Sequence, residues 1–337
     1  MAIYYLNLLT GNDASGGTTP ATAKLTLAAA TALVTAVTDE IRVRGTDSLY
    51  TNLTGTWTWT KGSNNVTCTT GDKTTEVAAG NYICKTTSGL PQLFLVASRA
   101  YTSGNTTTTI VLTNTTNCFY EGSTETVATS KLNVTAVISL QTLARNGQTS
   151  GTANSWTRVD TKISGGWDAA YTGQTSYTLI YNTANAGTAS VLNNEATARL
   201  YWDIQRMIIL NGNQYFCMQN TYGHYSNCAF IGVSTQRNVL ATSTWMVYSN
   251  CYFYHASTGY DTLIANTNNS FTDCTFHNSI NRNTLVLATS GQFIRGSVNG
   301  SNLSVFNGVT AQLFSGTTFN FRGATFCAGT NNTNTFK

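Results

Sequence analysis

Charge is what this chain has least of. Asp, Glu, Lys and Arg make up only 9% of its 337 residues, and the formal net charge is +4. A surface that neutralises phosphates needs clustered Lys and Arg. The basic residues here are scattered, so no nucleic-acid partner is expected. Proline is nearly absent, and the two present, Pro20 and Pro91, can both lie outside regular strands. No apolar run approaches the length of a membrane span, so membrane insertion is not expected. The opening Met1-Ala2-Ile3-Tyr4-Tyr5 lacks the basic start and apolar core of a secretory signal. Cys-x-x-Cys, His-x-x-x-His and phosphate-cradling loops are also missing, and Gly16-Gly17 and Gly165-Gly166 read as turns. The sequence therefore points to no metal and no cofactor.

Repetition takes the place of these signals. Ser226-Asn227-Cys228-Ala229-Phe230, Ser249-Asn250-Cys251-Tyr252-Phe253 and Thr272-Asp273-Cys274-Thr275-Phe276 follow one another at steps of 23 residues. Leu240, Leu263 and Val286 recur at the same step. A fixed period in the low twenties signals stacked copies of one supersecondary unit. Cys and Phe sit at i and i+2, which puts them on one face of a strand; a helix would need spacings of three and four. Each unit holds three short strand-like runs, such as Asn238 to Ala241, Trp245 to Tyr248 and the Cys-x-Phe run, separated by Asn, Ser, Thr and Gly.

Three short strands per unit with polar corners describe one coil of a single-stranded parallel β-helix, about 23 residues per coil. Coils stack at roughly 4.8 Å. Cys228, Cys251 and Cys274 are then expected to form an internal column of small apolar side chains. Phe230, Phe253 and Phe276 are expected to form a second one. Asn227, Asn250 and Asp273 make a ladder at a corner. Toward the end the period slips: Phe276 to Val298 is 22 residues, and Val298 to Phe319 is 21.

In chain order, Ile3-Tyr4-Tyr5-Leu6-Asn7 is followed by a Gly- and Thr-rich loop and a helical pattern from about Pro20 to Val37. Pro20 suits a first helical position, and Leu27, Ala30, Val34 and Val37 line one apolar face. Asp39-Glu40-Ile41-Arg42-Val43-Arg44-Gly45 then alternates like a strand. This entrance, with Ile163-Ser164-Gly165-Gly166-Trp167-Asp168 further on, resembles that of right-handed parallel β-helix proteins of the pectin-lyase-like group. The resemblance implies a right-handed coil whose open end is covered by the short helix. Residues 1–47 read as cap and first coil. Residues 48–135, Thr-rich with pieces such as Trp57 to Trp59 and Thr109 to Leu112, read as a small β-rich insertion, a barrel or a set of hairpins. Residues 136–327 carry the coils, and 328–337 form a polar tail. Cys68 and Cys84 are placed so that they could pair across a hairpin, which sequence alone does not decide.

Chemistry is harder to find. Glycoside hydrolysis needs two carboxyl groups within about 5 to 10 Å of each other. At coil spacing Asp203 and Glu195 have no acidic partner, and Asp273 replaces Asn in the corner ladder. His224, His255 and His277 do not fall in one column. The tryptophans read as packing residues. No catalytic residue is assigned, and the chain is not expected to be an enzyme; any activity would be that of a glycan hydrolase or lyase. Among parallel β-helices the resemblance is greatest to phage virion proteins. It implies a capsid decoration, collar, or tail fibre or spike component, a homotrimer docked on other virion proteins and assembled in the host bacterial cytoplasm. The alternative is a tailspike-like protein that binds or depolymerises a host surface glycan.

Overall fold

The computed structural model describes residues 1–36, 38–85, 93–112, 124–133, 141–143, 161–182, 192–194, 201–211, 222–232, 239–241, 246–255, 263–265, 269–278, 285–287, 292–299, 304–307, 313–320, 325–328 and 335–336. The described chain is mostly β, built on long parallel sheets and one antiparallel sheet. The first parallel sheet begins with Ile3–Leu6, Glu40–Arg44, Thr161–Trp167, Tyr201–Gln205, Tyr222–Ser226 and Met246–Ser249, and ends at Thr335–Phe336. The second runs from Thr178–Asn182 through Met207–Asn211, Ala229–Gly232, Tyr252–His255 and Thr275–Asn278 to Thr318–Asn320. The third runs from Val239–Ala241 through Leu263–Ala265 and Leu285–Leu287 to Thr325–Ala328. From Tyr222 onward the chain visits the three sheets in rotation, and each visit lays a strand parallel to the one before it.

The sequence produces this because large apolar residues return to the same register position. In the first sheet Tyr225 pairs with Tyr248, Tyr248 with Phe271 and Phe271 with Phe293. Their rings stack with centroids 5.5, 4.9 and 4.8 Å apart. In the second sheet Phe230, Phe253 and Phe276 stack at 4.9 and 4.7 Å. These separations match the spacing of adjacent strands. The two columns also meet each other edge to face, as in Tyr225 against Phe230 at 5.3 Å and Phe253 against Phe271 at 6.1 Å. Edge-to-face contacts suit the ring quadrupole and add about 0.5–1.5 kcal/mol each beyond simple burial.

The antiparallel sheet comprises eight strands between Tyr50 and Leu132, in the order Tyr50–Asn52, Thr129–Leu132, Tyr82–Lys85, Phe94–Thr102, Thr107–Leu112, Asn65–Cys68, Trp57–Trp59 and Glu125–Val127. Alternation decides its faces. Trp57, Trp59, Val66, Cys68, Ile110 and Leu112 are buried, while Thr58, Thr67, Thr109 and Val111 between them are only half-buried. The indole of Trp59 donates to the Thr129 hydroxyl at 3.0 Å, which satisfies its one buried donor.

This sheet lies over the outer face of the second parallel sheet. Rings meet at both ends of a four-strand span: Tyr82 against Tyr181 at 6.4 Å and Phe94 against Tyr254 at 5.5 Å. The residues flanking the inner row are buried there too, namely Leu179, Ile208, Ala229, Tyr252, Leu210, Ile231 and Tyr254. Strands covered on both faces read as continuous apolar runs, and Ile208-Ile209-Leu210 and Tyr252-Phe253-Tyr254 are such runs. One strand later the sequence returns to alternation, with Thr275-Phe276-His277 and Ser297-Val298-Asn299.

Two expectations need correction. The helix from Pro20 to Val37 is not continuous. A 3₁₀ turn at Pro20–Thr22 and an α-helix at Leu27–Thr31 replace it. Between them Lys24 pairs with Leu6 as a bridge, and the Asp13 carboxylate accepts the amides of Leu25 and Thr26, which takes those groups out of a helical ladder. Leu27, Ala30 and Val34 are nevertheless buried, while Val37 lies outside the described residues. Second, Leu263 does not sit over Leu240. Leu240 pairs with Ile264, and Ile264 with Val286. The connection before Leu263 is one residue longer than the one before Val239, and a slip of one residue exchanges the faces of a strand. Cys68 and Cys84, whose pairing the sequence leaves open, are both free: Cys68 pairs in register with Thr108, and Cys84 with Ser130.

Candidate functional site

Two polar arrangements stand out, a corner column and a row on the first sheet. The corner lies between the first and second sheets. Arg206, Asn227, Asn250, Asp273 and Arg295 all have φ between 50° and 54°, and Gly316 follows at 59°. Left-handed backbone is unfavourable for most L-residues but tolerated by Asn, Asp and Gly. Each of these residues donates its amide to a carbonyl of the next strand of the first sheet. Arg206 bonds Ser226, Asn227 bonds Ser249, Asn250 bonds Thr272, Asp273 bonds Ile294 and Arg295 bonds Ser315, at 2.8–3.1 Å. The side chains bond in pairs along the ridge. Asn250 Nδ2 donates to Asn227 Oδ1 at 2.6 Å, and Arg295 holds Asp273 with two bonds at 3.0 and 2.8 Å. The Arg295 guanidinium keeps the Asp273 carboxyl below its ordinary range. Sequence spacing found Asn227, Asn250 and Asp273. It missed Arg206 and Arg295, because the step from Asp273 is 22 rather than 23 residues and neither Arg is a usual left-handed residue.

Directly behind the corner sit Cys228, Cys251 and Cys274, all buried. The Cys251 thiol donates to the carbonyls of Tyr225 and Ser249, and the Cys274 thiol to those of Tyr248 and Thr272, at 3.4 to 3.5 Å. Burial pushes the Cys228 and Cys251 thiols well above the ordinary thiol range. A neutral, enclosed thiol is a poor nucleophile and a poor metal ligand. Among the described residues there is no group of three or more His, Cys, Asp and Glu that could hold a metal ion.

The second arrangement crosses the first sheet. Register places Glu40, Lys162, Asp203 and His224 in one row over four successive strands. Glu40 Oε1 accepts from the Ser164 hydroxyl at 2.6 Å and from Lys162 Nζ at 3.4 Å, and Oε2 accepts from Arg42 Nε at 3.2 Å. Arg42 in turn lies over the Trp167 ring at 4.1 Å, and the Trp167 indole donates to Ser164 at 2.8 Å. Burial alone would raise the Glu40 carboxyl. The Ser164 hydroxyl, Lys162 and Arg42 outweigh it and hold the group below its ordinary range. Asp203 accepts from Gln205 Nε2 at 2.7 Å.

Spacing along the chain could not bring Glu40 and Asp203 together, because the strands of the antiparallel sheet intervene in sequence. They stand two strands apart, roughly 9.6 Å between Cα atoms. Two strands of separation leave room between the side chains for the water of an inverting pair, whose carboxyl groups lie about 6.5–9.5 Å apart. A general acid, however, needs a raised pKa, and Glu40 moves the other way. The geometry makes Glu40 the node of an ion-pair network rather than a proton donor. His277 pairs in register with Tyr254 and His224 with Asp203 and Val247, so the histidines share no column. No protein-family model matches the chain, and no curated protein matches it.

Proposed function

We propose that this chain is a structural component of a bacteriophage particle, a capsid decoration, collar, or tail fibre or spike protein. Its body is a single-stranded right-handed parallel β-helix of about 23 residues per coil. Residues 1–47 form the cap and first coil, 48–135 an inserted β unit, 136–327 the remaining coils and 328–337 a tail. It assembles in the host bacterial cytoplasm as a homotrimer and docks on other virion proteins. The observation that carries this reading is the pair of interlocked aromatic columns, Tyr225 to Phe293 and Phe230 to Phe276. Such columns make a stiff rod, while the polar groups nearby are spent on one another. Immunogold labelling of purified particles with an antibody to the chain tests it. Labelling at a fixed place on the particle is expected, and particles free of label would overturn it.

A second reading, glycan binding or cleavage, rests on Glu40 and Asp203 sharing one row of the first sheet. Incubation with host capsule or surface glycan separates the two. Shortened glycan chains would favour the second reading and count against a purely structural one.

A further inference from the structure

Asp39 and Glu40 are consecutive carboxylates, only 3% and 7% exposed, at the point where the chain leaves the capping segment and enters the second strand of the first sheet. Their partners belong to different parts of the molecule. Asp39 Oδ1 accepts the Ala2 amide at 2.7 Å, and Oδ2 accepts the amides of Thr35 and Ala36 at 3.1 and 3.0 Å. Asp39 therefore ties the first strand to the turn that follows the helix. Glu40 ties its own strand to the next one through Lys162 and Ser164. The backbone joins the same segments: the Glu40 amide bonds the Ala2 carbonyl at 2.9 Å, and the Lys162 amide bonds the Asp39 carbonyl at 3.4 Å.

We propose that Asp39 and Glu40 form an acid-released latch. Ionised, Asp39 holds Ala2, Thr35 and Ala36 to the start of the second strand, and Glu40 holds that strand to Thr161–Trp167; protonated together, they free residues 2–36 as one unit while the strands from Tyr222 onward stay closed.

The charges around the latch explain why it holds at neutral pH. Asp39 faces the chain's own amino terminus. Glu40 faces Arg42 on its own strand and Lys162 on the next, and beyond Lys162 stand Asp203 and His224. Burial alone would raise Asp39, but the amides of Ala2, Thr35 and Ala36 outweigh it, as Ser164, Lys162 and Arg42 do at Glu40. Both folded pKa values are depressed. The stabilisation is therefore full above the unfolded values of about 3.9 and 4.3, and it is lost as pH falls through the folded values. Losing the Glu40 charge leaves Arg42 on Trp167 and Lys162 next to Asp203, so the stack keeps its own contacts. The interlocked aromatic columns begin only at Tyr225, on the far side of three strands from Ile3–Leu6.

Hydrogen-exchange mass spectrometry on the whole chain at constant neutral pH tests this, comparing wild type with D39N/E40Q. Protection of amides in 2–36 should fall at least ~10-fold, from the loss of several bonds to charged groups, with 222–255 unchanged. Should the double variant not fold, wild type held near pH 2 decides, read as protection factors that divide out the intrinsic effect of pH. Loss confined to 2–36 is expected there as well, and it must include the first strand, Ile3–Leu6, rather than only the Leu25 and Thr26 amides that Asp13 holds. Unchanged protection in 2–36, or an equal loss throughout the chain, overturns the latch.

Discussion

Phe94 and Tyr254 meet nearly edge to face, 5.5 Å between ring centroids, one from the antiparallel sheet and the other from the outer face of the second parallel sheet. Both are buried, at 2% and 0% exposure. The contact makes the antiparallel sheet part of the same core rather than an appendage. Phe94→Ala should cost about 3–5 kcal/mol. A double-mutant cycle with Tyr254→Ala should return a coupling of about 0.5–1.5 kcal/mol. Urea unfolding measures both, and strictly additive single losses would show that the two sheets do not support each other.

Where that cover ends, the tolerance for polar residues changes. Leu210 and Ile231 lie under the antiparallel sheet and are fully buried, whereas Ser297 on the same sheet is half-buried. Leu210→Ser or Ile231→Ser should destabilise by about 2–5 kcal/mol. Ser297→Ala loses only the bond of its half-buried hydroxyl to Thr275 at 3.2 Å and should cost about 1 kcal/mol or less. Thermal unfolding of the three variants compares them, and equal losses would contradict the burial described.

The left-handed corner separates two small changes at one position. Asn250→Gly should be neutral within about 0.5 kcal/mol, while Asn250→Val should cost roughly 1–2 kcal/mol, because a β-branched side chain clashes in that conformation. Asp273→Asn keeps a residue that accepts the conformation and loses only an exposed ion pair with Arg295, so it should cost less than about 1 kcal/mol. Melting temperatures order the series. If Asn250→Val matches Asn250→Gly, the backbone there is not left-handed.

Thiol chemistry follows from burial. Cys84 is pushed up to about 12 and Cys228 and Cys251 well above the ordinary range, all by burial. At pH 8 these three should resist alkylation by iodoacetamide in the native protein and react fully in denaturant. Peptide mapping reads each site, and rapid native labelling of Cys251 would place it at the surface.

Much of the stack was legible in the sequence, because Phe230, Phe253 and Phe276 repeat with the same period as the strands that carry them. The left-handed corner was half legible: Asn and Asp announce such a backbone, while Arg206 and Arg295 do not. The row of Glu40, Lys162 and Asp203 was hidden: the strands between Tyr50 and Leu132 separate Glu40 from Lys162, and the step from Lys162 to Asp203, 41 residues, is no multiple of 23. The cover over the second sheet had a signal that period-counting passed over. The run Ile208-Ile209-Leu210 has no polar alternate, and Thr275-Phe276-His277 does.

The corner column has one more consequence. From Asn227 onward two residues always separate a first-sheet strand from the second-sheet strand that follows it, as at 227–228, 250–251, 273–274, 295–296 and 316–317. The extra residue that displaces Leu263 is taken up elsewhere, between the second and third sheets. Changes in connection length fall between the second and third sheets and between the third and first. A residue added to or removed from the constant seam would instead slip every later strand by one position and exchange its faces.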